Sequence, residues 1–228
     1  MRETQLDARL ETAISLFPRV RTGADIGADH GYLTEALLKR GIADRMWAVD
    51  ISASSLQKAR KLMERDGLSD RVRFGTGDGF LPLQEPVEAA AILGMGGVNI
   101  RNMLTEQARL LRGCALVISA NTEMPSVRRT LATLGYRIEE ERLTEAGNHF
   151  YPVLLARPGL SRPYTEKELT LGPVLMRRPV DGVYRRYLLR KAEDWEAERS
   201  PAGDMKRQWI REELRRAAGD GSADRGAD

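Results

Sequence analysis

Apolar residues first recur at helical spacing. Leu6, Leu10, Ala13, Ile14 and Phe17 share one face, and Pro18 stops the run. Shorter apolar bursts then alternate with amphipathic stretches. Residues 24–27, 46–49, 72–75, 89–93 and 115–119 read as buried strands. Between them, residues 32–40 (ended by Gly41), 52–66 (capped by Ser52, closed by Gly67), 99–111 and 125–134 read as helices. Residues 136–143 and 150–156 read as two strands joined through Gly147-Asn148.

Strands alternating with helices predict an α/β fold, a doubly wound parallel sheet with helices on both faces. The last two strands have no helix between them, which predicts an antiparallel hairpin at one edge. Pro158-Gly159 and Pro163 mark a boundary. Beyond it come a capped turn at Thr165–Glu168, a Gly172-Pro173 break, and helices over 182–199 and 204–218 joined by Ser200-Pro201-Ala202-Gly203. Tyr184, Leu188, Ala192 and Trp195 line the first helix; Met205, Trp209 and Leu214 line the second, as in a small helical hairpin. The expected organisation is a ligand-binding domain over 1–160, a helical hairpin over 161–218 and a polar tail over 219–228.

Composition narrows the class. The chain has 228 residues and 42% apolar content, enough for a sizeable core. No apolar run reaches the ~20 residues of a membrane span. The polar opening Met1-Arg2-Glu3-Thr4 does not read as an export signal, so the expected compartment is the cytoplasm. Cys114, the single cysteine, sits in an apolar run and reads as a buried strand thiol. His30 and His149 are the only histidines and have no companion ligands, so no metal is expected. Net charge is +3 overall, but residues 161–217 hold 14 Lys/Arg against 10 Asp/Glu. Arg177-Arg178, Arg185-Arg186, Arg190-Lys191 and Arg215-Arg216 could grip a phosphate backbone; solvated helix faces would look the same.

Ligands of such sheets sit beyond the carboxyl ends of the strands. The unusual residues of this chain fall there. After the first strand comes Asp25-x-Gly27-x-Asp29-His30-Gly31, where Gly27 permits a sharp turn and a close ligand. Asp25 lies inside an apolar strand and needs a partner, either a ligand cation or an amide. Asp29 would repel a pyrophosphate, which favours a cationic nucleoside over a dinucleotide. Asp50, ending the second strand 19 residues after Gly31, suits both hydroxyls of a ribose, and Ile51 follows it. Gly77-Asp78-Gly79-Phe80 follows the third strand, where Asp78 suits an adenine amino group and Phe80 its ring. Gly94-Met95-Gly96-Gly97 leaves a bare backbone edge after the fourth. No serine sits on a glycine-flanked nucleophile elbow.

These segments resemble the bacterial tRNA (adenine-22-N1)-methyltransferase family. The likeness rests on Arg9-Leu10-Glu11-Thr12, the run 24–33 with its Asp29-His30-Gly31-Tyr32-Leu33 turn, Gly77-Asp78-Gly79, Gly94-Met95-Gly96-Gly97, and Leu171-Gly172-Pro173. It implies a Rossmann-like sheet that binds S-adenosylmethionine (AdoMet) and a coiled-coil-like hairpin that holds tRNA. It implies cofactor contacts from Asp25, Gly27, Asp29, His30, Gly31, Asp50, Ile51, Gly77, Asp78, Gly79, Gly94, Met95, Gly96 and Gly97. It points to Asp29, Tyr32 and Asn121 at the reacting base. The fifth strand ends Ser119-Ala120-Asn121 where relatives tend to carry Gln-Pro-Asn, so only Asn121 carries over.

Overall fold

The computed structural model describes residues 6–180, 182–196 and 199–220, the last four by backbone alone. The sequence readings at residues 1–4 and from 221 onward lie outside these. The chain divides into two compact units between Pro163 and Tyr164.

In the first unit, helix α1 (Ala8–Leu16) is capped by the Asp7 carboxylate, which accepts from the Leu10 N–H. There follow β1 (Val20–Ile26), α2 (Tyr32–Lys39), β2 (Ala43–Asp50), α3 (Ala53–Arg65), β3 (Val72–Thr76) and β4 (Ala89–Leu93). Then come α4 (Gly97–Glu106), β5 (Ala115–Ser119), α5 (Met124–Thr133), β6 (Tyr136–Ala146) and β7 (His149–Pro158). The strands form one sheet in the order β3-β2-β1-β4-β5-β7-β6. Strands β1 to β5 pair in parallel, and β7 pairs antiparallel with both β5 and β6. This is the doubly wound sheet with an antiparallel edge hairpin that the alternation of elements predicts.

Strand order reverses between β1 and β4, where the crevice for a ligand opens. β4 begins Ala89-Ala90-Ala91, and small side chains there let helices approach both faces of the sheet. All three are fully buried. Two of the differences from the sequence reading have a clear local cause. β1 begins at Val20, four residues early, because Val20 pairs with Ala43 of β2. The helix expected over 99–111 breaks at Gln107, whose side chain takes the Phe80 N–H at 2.7 Å; residues 108–111 continue as a tight 3-10 turn.

Buried charge is paired. Arg128 of α5 and Glu141 of β6 are both 0% exposed and meet at 2.8 Å. Lys39 bridges Glu35 and Asp66 at 2.6 Å each. Arg65 and Lys39 together hold the Asp66 carboxyl well below the usual carboxylate range. Cys114 is buried as expected, and burial pushes its thiol up to about 12, which leaves it inert.

The second unit holds α6 (Glu166–Leu171), α7 (Gly182–Glu196) and α8 (Pro201–Asp220). Thr165 and Glu168 form a reciprocal capping box on α6. Lys167 ties α6 to Glu212 and Glu213 of α8. α7 packs on α8, burying Tyr184, Tyr187 and Leu188 on one side and Ile210 on the other. Met205, expected on the inner face, is exposed; Ile210 and Glu213 fill that face instead. Pro201 opens α8 from its first turn, so the connection is shorter than the Ser200–Gly203 turn expected.

Candidate nucleoside cavity

A cavity of about 550 Å³ opens at the carboxyl ends of β1 to β4, within the ~300–1,000 Å³ usual for cofactor clefts. Gly27, Asp50, Ile51, Gly77, Asp78, Gly79, Gly94 and Met95 line it. Its charged lining residues, Asp50, Asp78 and Glu106, are all acidic. That field opposes a pyrophosphate and suits a cationic nucleoside.

Each wall has a local cause. Asp50 ends β2 and uses both carboxylate oxygens structurally: Oδ2 accepts from the Asp29 N–H at 3.1 Å and Oδ1 from the Ser52 N–H at 2.8 Å. Each oxygen keeps a second lone pair, and Asp50 lines the cavity. Ile51, beside it, is 77% exposed, an apolar surface set against the opening. Gly27 turns the chain at φ 80°, and a side chain there would meet the Met95 methyl. The turns after β1 and β4 therefore touch across the cavity floor.

The remaining expected contacts lie outside the lining. Asp25 is buried in β1, and its partner is a protein group: the Thr34 hydroxyl donates to it at 2.9 Å. Burial outweighs that bond and pushes its carboxyl up to about 6, with Asp50 and Asp29 adding to the rise. The Asp29 carboxylate engages His30 Nδ1 at 2.6 Å, and Asp29 itself sits at φ 45°. The His30 ring stacks on Tyr32 and its Nε2 meets Lys58. Gly31 backs onto Ala59 of α3. Phe80 is in the core and not in the cavity. Gly96 and Gly97 face the turn after β5; a Cβ on Gly97 would lie 2.4 Å from the Thr122 carbonyl oxygen. Asn121 follows the end of β5, while Asp29 and Tyr32 follow β1. Its Nδ2 donates to the Gly94 carbonyl at 2.7 Å.

Sequence reasoning missed one wall, formed by Asn99, Asn102, Met103 and Glu106 of α4. The signal was present, since 99, 102, 103 and 106 follow helical spacing on one face. It carried no motif, and only the packing of α4 beside β4 turns that face inward. Among the described residues no cluster of His, Cys, Asp and Glu could hold a metal ion, and no helix is long and apolar enough to cross a membrane. In the second unit Arg177, Arg178, Arg185, Arg186 and Arg190 are exposed. Arg190 and Lys191 both face Asp194, at 3.6 and 3.8 Å.

A parallel sheet reversing at β1/β4, with an acidic cavity at the reversal, is a Rossmann-like arrangement. Residues 6–154 match the family model described as a methyltransferase domain, and the chain belongs to that family. The tRNA (adenine(22)-N(1))-methyltransferase of Bacillus subtilis is 29% identical over 161 residues, spanning 70% of this chain and 68% of that protein. A protein of Mycoplasma pneumoniae described as a putative tRNA methyltransferase is 31% identical over 157 residues, 67% of this chain and 71% of its own. Among solved structures, a putative tRNA (m1A22) methyltransferase of Streptococcus pneumoniae in complex with S-adenosyl-L-methionine superposes with a TM-score of 0.86 at 27% identity. The match covers 92% of this chain and 100% of that one.

Proposed function

We propose that this protein transfers a methyl group from AdoMet to N1 of adenine 22 in tRNA. The observation that carries the reading is the wholly acidic charge of the cavity at the β1/β4 reversal, in a chain similar to tRNA m1A22 methyltransferases over most of its length. AdoMet supplies an electrophilic methyl on a cationic sulfur, and adenine N1 is already a nucleophile.

The residues present fit that cofactor. Asp50 is placed for the ribose hydroxyls and Asp78 for the adenine amino group, with Ile51 against the ring. Because N1 needs no deprotonation, the chain's task is alignment and charge. Asn121 is fixed by the Gly94 carbonyl through its amide nitrogen, and among the described residues no donor reaches its Oδ1. That oxygen suits the amino group beside N1 of the acceptor. Methylation leaves the base cationic, and Asp29, carried on the turn bonded to Asp50, adds negative field from the turn after β1. Asp29→Asn should therefore lower turnover at saturating AdoMet and tRNA. Tyr32, 41% exposed and stacked on His30, offers a ring at the same turn.

The second unit is the proposed tRNA-holding part. Its exposed Arg177, Arg178, Arg185, Arg186 and Arg190, with Lys191, suit recognition of a folded RNA by shape and phosphate. Such an enzyme works where tRNA is made, in the cytoplasm.

The test incubates the protein with labelled AdoMet and unmodified tRNA and maps the methylated nucleoside. Label at N1 of adenine 22 is expected. Transfer to no tRNA overturns the reading, and label at another base overturns the site assignment. Ending the chain at Pro163 should abolish transfer while sparing AdoMet binding.

A further inference from the structure

The cavity lining carries only negative charge, yet a tRNA nucleotide brought to it arrives with two phosphates. One cation lies at its edge. Arg9, in the first turn of α1, brings Nη1 to 3.6 Å from where a Gly94 side chain would stand. Gly94 itself lines the cavity, so Arg9 lies beside that part of its wall. Its guanidinium lies over the Tyr151 ring at 5.3 Å, which holds it in place from β7. Asn121 bonds to the Gly94 carbonyl, so Arg9 and Asn121 both reach this one residue.

The Arg9 side chain is 24% exposed. Among the described residues it makes no hydrogen bond; its one ion pair is a long contact at 3.9 Å to Asp7 Oδ2, while Asp7 Oδ1 accepts from the Leu10 N–H. A guanidinium has five donors in a fork shaped for phosphate, and the long Asp7 contact leaves that fork without a hydrogen-bonded acceptor among the described residues. α1 has other fastenings, to the end of α2 and to β6. Glu11 takes both guanidinium nitrogens of Arg40 at 2.6 Å, and Ser15 takes Arg142 at 2.9 Å.

We propose that Arg9, set by Tyr151 beside Gly94, binds a phosphate flanking the nucleotide presented for methylation. It is a substrate-positioning contact outside the cofactor cavity, and the proposal rests on the tRNA methyltransferase reading above. It places the acceptor strand along the Arg9–Tyr151–Asn121 side of Gly94, opposite Asp50 and Asp78.

The test measures tRNA binding by the full chain without AdoMet, across a salt series, for wild type, Arg9→Gln and Arg9→Lys. Arg9→Gln keeps most of the aliphatic stem on Tyr151 and loses the charge. It should weaken tRNA binding about tenfold and lower the slope of log K against log salt by about 1. Arg9→Lys should restore much of the slope. AdoMet affinity by calorimetry should match wild type in both variants, and the transfer assay should show a raised KM for tRNA. An unchanged slope and affinity in Arg9→Gln, in wild-type protein that methylates tRNA, overturns this assignment alone. Wild type that neither binds nor methylates tRNA overturns the functional reading and takes this one with it. Loss of AdoMet binding in Arg9→Gln also counts against it, because the residue would then be shaping the cavity.

Discussion

The Asp29 N–H donates to Asp50 Oδ2, which locks the turn after β1 to the end of β2. The same carboxylate receives the Ser52 N–H through Oδ1, at the start of α3. Asp50 is thus fixed by two backbone amides before any ligand arrives, and it lines the cavity proposed for the nucleoside. Replacing it removes a preorganised acceptor pair. Asp50→Ala should weaken AdoMet binding by about 10- to 100-fold, the range of one to two charge-assisted hydrogen bonds. Titration calorimetry reads this directly, and wild-type affinity in the variant would remove Asp50 from the site.

Asp25 predicts an unusual pH response. Its folded pKa of about 6 lies above the ordinary 3.8, so the fold holds this proton more tightly than the unfolded chain does. Ionising it therefore costs stability, and the cost builds as pH rises from about 4 to 6, reaching about 3 kcal/mol above that window. Asp25→Asn stays neutral throughout. The stability of the variant relative to wild type should climb across pH 4–6 and then level off. Denaturant melts at several pH values check it, and a difference that is flat with pH refutes it.

Gly97 is a packing requirement. A Cβ there would lie 2.4 Å from the Thr122 carbonyl and 2.8 Å from that of Glu123. Gly97→Ala must push the two loops apart, at about 2 kcal/mol for such overpacking. For a chain of this size that corresponds to a melting point lowered by roughly 4–8 °C. Thermal unfolding of the two proteins side by side measures it.

The Arg128–Glu141 pair predicts a strong asymmetry between single and double variants. Glu141→Gln leaves a fully buried guanidinium without its counter-charge, which should cost about 3–5 kcal/mol. Arg128→Met combined with Glu141→Leu should cost markedly less than the single change, because both members of this ion pair go together. Chemical denaturation of both variants gives the comparison.

Much of the fold was legible in the pattern of apolar residues. The alternation of strands and helices, the missing helix between Leu143 and Phe150, and the glycine breaks at 41 and 67 follow from local rules. The acids at the strand ends were legible for the same reason: an exposed tip after a buried strand is where an Asp stands out. Other features were decided in three dimensions. Whether a strand-end acid faces the cavity depends on side-chain alternation and on what packs above it, so Asp50 and Asp78 line it while Asp25 turns to Thr34. Gly94 and Gly97 look alike in sequence, yet one lines the cavity and the other seats the β5 turn. The α4 wall and the meeting of Arg9, Tyr151 and Gly94 join segments up to 142 residues apart in the chain. The sequence by itself determined which elements form and where polar groups gather along them, because those are set by neighbours in the chain. Only the tertiary structure decided which of those groups share one space, because that depends on strand order and on the close packing of helices across the sheet.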